Sequence, residues 1–228
     1  MANAQAPSHT SVFLADFREF LLCFKDHQIR VTTLKRHIPL RHLKELAQKM
    51  GGPEPFHPLR SDMGFEMRCQ RDEKRLDFMD MLAAGMGLLD RTEWGYIVPG
   101  AAFEKFLESP EEDQARRTRE TFWAMDWDRL YPWGEVVDCL EQNRPAIGAF
   151  LNGCAPLAQI SLGETVKKLF PDTPEAFKNR WASGLFWAVL RPLEYMDLAK
   201  GHFQKDAEGF YYPESFEINE RLRLPSYP

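Results

Sequence analysis

Apolar positions recur at helical spacing over residues 12–25, where Val12, Phe13, Phe17, Phe20, Leu21 and Phe24 form one broad face. The following stretch, Ile29 to Thr33, is short and β-branched and predicts a strand. Pro39 then opens a predicted helix with Leu43, Leu46, Ala47 and Met50 on one side. Proline suits a first helical position because its missing N–H would be unsatisfied there anyway. Gly51, Gly52 and Pro53 stop that helix. After a proline-rich loop, residues 72–87 predict another helix with Leu76, Met79, Leu82, Ala83 and Met86 inward. Residues 87–91 and 95–99 predict two strands around a tight turn at Thr92 and Glu93, and a short helix closes the segment.

The second half repeats this order. Ile160 sits in a short predicted strand, and a short helix follows with Ser161 as its candidate cap. A longer helix carries Trp181, Leu185, Phe186, Val189, Leu193 and Met196 at core spacing, and Pro192 is expected to kink or break its end. A second hairpin spans residues 197–214. Its first arm, Leu198 to Gly209, is four residues longer than Leu88 to Gly95. One phrase recurs between the halves: Gly95, Tyr96 and Pro99 answer to Gly209, Phe210 and Pro213. The reading is that both copies form the return strand of a hairpin.

Between the halves, Ser109 is the expected cap of a helix with Pro110 in its first turn, and Glu111, Glu112 and Asp113 suit its positive end. This helix turns aromatic at Phe122, Trp123 and Trp127, with Tyr131 and Trp133 beyond. Large rings at such a junction predict docking of the two halves, with a partner-binding or base-stacking surface as the alternative.

Helix, short strand, two helices and a hairpin, twice over, resembles the winged helix-turn-helix, as in bacterial regulators that carry two such units. The resemblance rests on element order and on the hairpin after the third helix. It implies a mainly α chain with short β-hairpins, an α+β fold of two tandem winged-helix units joined by an aromatic-rich helix. The expected boundaries are a tail at 1–10, a first unit at 11–108, a connecting helix at 109–134 and a second unit at 135–228.

Composition narrows the partners. The chain has 228 residues and a net charge of -5, a poor balance for non-specific nucleic-acid binding. The charge is uneven, however: between Gln28 and Met50, Arg30, Lys35, Arg36, Arg41, Lys44 and Lys49 stand against Glu45 alone. No apolar run reaches membrane-spanning length and the N-terminus lacks a secretory pattern, so no membrane partner is expected. Cys23, Cys69, Cys139 and Cys154 are scattered and form no CxxC pair, which fits a reducing cytoplasm better than a disulfide framework.

Sequence motifs for chemistry are missing. There is no phosphate-binding GxxxxGK[ST] loop, no GxGxxG, no HExxH and no GxSxG. His37 and His42 are five apart and fall on different helix faces. Asp77 and Asp80, or Glu66 and Glu73, share a face but read as ordinary helix charges. Neither catalytic residue nor cofactor nor metal is expected.

The basic segment carries the functional expectation. In winged-helix DNA binders the second helix approaches the phosphate backbone and the third enters the major groove. That resemblance assigns backbone contacts to Arg36, Arg41 and Lys44. It assigns base contacts to the start of the third helix, at Arg68, Gln70, Arg71, Lys74 and Arg75. The second unit has a more diluted set: Lys167, Lys168, Lys178, Asn179 and Arg180, with Lys200, His202 and Lys205 on its wing. Two functions stay open: binding of double-stranded DNA by the first unit, and a protein–protein scaffold working through the second unit or the Trp-rich helix.

Overall fold

A computed structural model describes residues 11–33, 37–50, 74–131, 134–205 and 211–225. The chain is mainly helical, with two small antiparallel sheets. The first half runs α1 (Val12–Asp26), β1 (Ile29–Arg30), α2 (Leu40–Lys49), α3 (Lys74–Gly85), β2 (Leu89–Arg91) and β3 (Tyr96–Pro99). Two helices follow, α4 (Phe103–Glu108) and α5 (Glu111–Ala124). The second half runs α6 (Glu135–Gln142), α7 (Arg144–Asn152), β4 (Ile160–Ser161), α8 (Leu162–Leu169), α9 (Lys178–Leu185), α10 (Arg191–Tyr195), β5 (Ala199–Lys205) and β6 (Tyr211–Ile218).

The two sheets share one topology. Their strand orders are β1-β3-β2 and β4-β6-β5, so the last strand of each half lies between the other two. Ile97 pairs with Ile29 in the first sheet, and Phe216 pairs with Ile160 in the second. The turn from the preceding helix into the hairpin is also the same in both. Leu88 N–H donates to Ala83 O at 2.8 Å, and Leu198 N–H to Leu193 O at 2.8 Å. The residue before each leucine is left-handed, Gly87 at φ 65° and Asp197 at φ 60°.

This register corrects the repeated phrase. Pro99 pairs with Leu89 at the base of its hairpin, and the residue in that place in the second half is Ile218, which pairs with Ala199. Pro213 instead pairs with Phe203, farther out and beside a register shift at His202 and Phe203. A proline cannot donate to the ladder, and the irregularity accommodates it. Gly209 and Phe210 lie outside the described residues. Pro99 and Pro213 thus match in letters and not in position.

The first hairpin and its turn at 92–95 form as expected, whereas the second runs on past residue 214 to Ile218; Leu76, Met79, Leu82, Ala83 and Met86 are all buried. Two local expectations differ. Ser109 is not the helix cap: Pro110 takes that place, and the Ser109 hydroxyl donates back to Phe106 O at 2.7 Å. At Pro192 the helix is disturbed, as expected, but not ended. Ahead of it, residues Phe186–Leu190 form a π-helical turn in which Arg191 N–H donates to Phe186 O. Widening the ladder by one residue lets the helix continue past a position that lacks an N–H.

The core runs through both halves. Phe78 of α3 meets Phe122 of α5 edge-on at 5.9 Å and Tyr195 of α10 at 5.7 Å. Trp123 packs on Gly148 of α7, where a Cβ would lie 3.0 Å from the indole. Phe122, Trp123 and Trp127 are each 0% exposed, so these three rings pack into the joint between halves, while Tyr131 beyond them is partly buried. Among the described residues, no helix is long and apolar enough to cross a membrane.

Candidate nucleic-acid interface

Helix α2 is strongly two-sided. Leu43 and Leu46 are buried beneath it, while Arg41, Lys44, Glu45, Gln48 and Lys49 are exposed. Pro39 stands at its N-cap, and its fixed φ favours the extended conformation seen there. Arg41 Nε donates to His42 Nε2 at 3.1 Å, and His42 Nδ1 stands 3.4 Å from Glu45 Oε2. The one acid of the segment is thus held beside a histidine, and the outer face of α2 is cationic.

The third helix divides its candidates. Lys74 is exposed in the first turn of α3. Arg75 turns inward instead. It is 5% exposed, its Nη1 lies 2.7 Å from Asp16 Oδ2, and its guanidinium stands 6.0 Å from the Phe13 ring centroid. A guanidinium paired in the core reaches neither base nor phosphate, so Arg75 is a structural tie between α3 and α1. Position in the chain suggested a reader, and tertiary packing made it an anchor. Arg36, Arg68, Gln70 and Arg71 lie outside the described residues.

The hairpin adds a feature that sequence reasoning passed over. Trp94 sits in the β2–β3 turn with 74% exposure, beside Tyr96 and Arg30. Arg30 Nε donates to Trp94 O at 3.0 Å and its guanidinium stands 5.9 Å from the Tyr96 ring centroid. The available signal was a Trp placed where a tight turn wants Gly, Asn or Asp. Behind the hairpin, Arg91 Nη2 pairs with the buried Asp80 at 2.5 Å, which ties β2 to α3. Asp80 is thus a buried, paired carboxylate and not the ordinary helix charge that its spacing suggested.

Three candidate cations of the second half are paired with acids. Lys167 pairs with Glu164 at 2.7 Å, Lys178 pairs with Glu175, and His202 pairs with Glu217 at 2.8 Å. Lys168 stands over the Phe150 ring at 5.1 Å. Burial pushes the Cys154 thiol pKa up, and the thiol donates to Phe150 O at 3.2 Å, which disfavours a reactive thiolate. Among the described residues, no group of three or more His, Cys, Asp and Glu is placed to hold a metal ion.

No family model matches the chain, nor does any curated protein or solved structure.

Proposed function

We propose that this is a DNA-binding protein built from two tandem winged-helix units, working in the cytosol without catalysis of its own. The observation that carries the reading is the cationic outer face of α2, Arg41, Lys44 and Lys49, set among the described elements α1, β1, α2, α3 and the β2–β3 hairpin, whose sheet runs β1-β3-β2. In this reading α2 lies along the phosphate backbone, where Arg41 and Lys44 supply affinity without sequence information. The start of α3, at Lys74, enters the major groove, and Arg68, Gln70 and Arg71, outside the described residues, are the further candidate donors. Arg36 extends the backbone contact, and Arg75 takes no part.

Anisotropy of a labelled random-sequence duplex, at low and moderate salt, tests this. Wild-type protein is expected to bind with an affinity that falls steeply with salt, and R41E/K44E to bind far more weakly. Wild-type affinity unchanged by both salt and the double charge reversal would overturn it.

A second reading is a protein-interaction scaffold of the same fold. It is favoured by the internal pairing of Lys167, Lys178 and His202 in the second half, and by the net charge of -5. The two readings combine if the first unit faces DNA and the second faces protein.

A further inference from the structure

We infer that the tip of the first hairpin is a base-stacking site: Trp94, backed by Arg30 and Tyr96, takes the face of an unpaired nucleobase. The inference rests on the DNA reading above and deepens it, because it gives the protein a preference for DNA with a single-stranded flank.

The turn that carries Trp94 is fixed from several sides. Thr92 N–H donates to Tyr96 O at 2.9 Å, Gly95 N–H to Thr92 O at 2.9 Å, and Tyr96 N–H to Thr92 Oγ1 at 3.0 Å. Val31 N–H reaches across to Gly95 O at 2.8 Å, and Arg30 Nε holds Trp94 O at 3.0 Å. Gly95 has φ 79°, which a side chain would strain. The backbone under the indole is therefore ordered before any partner arrives, while the indole is 74% exposed. Of the large hydrophobic residues among the described ones, Trp94 is the most exposed.

An ordered backbone under an exposed ring lowers the entropy lost on binding. The kind of partner follows from the shape and charge around the ring. Protein hot-spot residues cluster in well-packed patches whose rim excludes water. Trp94 stands in the hairpin turn next to the exposed, charged Glu93 and Arg30 and the exposed Tyr96. A flat base fits one indole face, and Arg30, which spends Nε on the Trp94 carbonyl, has its terminal amines for the adjoining phosphate.

Two labelled probes test this with the full chain: a blunt duplex, and the same duplex with a short single-stranded overhang. Wild-type protein is expected to bind the overhang probe more tightly and to show quenched tryptophan emission with it. W94A should weaken overhang binding about five- to a hundredfold, the range of one lost stacking contact, and leave blunt-duplex affinity unchanged. W94F should keep most of the preference. Equal binding of both probes by wild type and W94A would overturn the stacking site. Should R41E/K44E still abolish blunt-duplex binding in that case, the DNA reading stands without it. Failure of wild type to bind either probe at low salt sinks both, and makes Trp94 a candidate protein anchor.

Discussion

Asp197 caps the first helix of the chain from the far end of the sequence: its Oδ2 accepts the Phe13 backbone N–H at 3.0 Å and the Ser11 hydroxyl at 3.1 Å. Asp197 sits at φ 60°, in the place where the first half has Gly87 at φ 65°. The left-handed turn is shared, and the second half uses it to present a carboxylate to a helix N-terminus in the first half. Glu111 adds to the same joint by accepting Ser11 N–H at 3.1 Å. A carboxylate at the positive end of a helix satisfies free N–H groups and complements the helix dipole.

D197A should therefore lower stability by about 1–2 kcal/mol, in the range of a lost N-cap. D197N, which keeps an acceptor oxygen, should lose less. Urea unfolding of the three proteins would check the order; equal midpoints for wild type and D197A would show that the cap contributes nothing.

Arg75 and Asp16 make a sharper prediction, since both are buried. Removing Arg75 takes the guanidinium from beside a buried carboxylate, so R75M should cost about 3–5 kcal/mol. Removing both, in D16L/R75M, should restore much of that loss. Thermal melts would read this, and R75M, where it folds, should leave the salt dependence of DNA binding unchanged.

Gly184 of α9 faces α6 at close range. A Cβ there would stand 2.5 Å from Val136 Cγ1. G184A should destabilise by about 1–3 kcal/mol through overpacking. Adding V136A should recover part of that loss, which a chemical denaturation cycle of the two single variants and the double would measure.

The charge on α2 predicts a slope. Each phosphate contact removed should reduce the dependence of log affinity on log salt by about one. R41A and K44A should each flatten the line by that amount and weaken all duplex sequences alike. Loss confined to one sequence would place these residues at bases instead.

Much of the local structure was legible in the chain. Phe17, Leu43, Leu82 and Val189 are core residues, as their helical spacing indicated, because an apolar face must find cover whatever its partner. The hairpins were legible too, since Gly95 and the β-branched Ile97 and Val98 mark a turn and a strand. At the candidate interface, Arg41, Lys44 and Lys74 are exposed as expected. Arg75 is not, because a sequence reports that a residue is charged without saying which side of its helix meets an acid from elsewhere.

By itself, then, the sequence determined most of the helices, both hairpins and most of the faces they bury, because those depend on neighbours three, four or two positions away, while α6 and α7 went unread and Ala47, expected inward, is exposed. Tertiary structure alone decided the rest. It set the return strand's register, which moved the counterpart of Pro99 from Pro213 to Ile218, and it matched Asp16 with Arg75 and Asp197 with Phe13. It also buried Trp123 and Trp127 in the joint while leaving Trp94 in water. All of these depend on contacts between residues far apart in the chain, and local spacing carries no information about them.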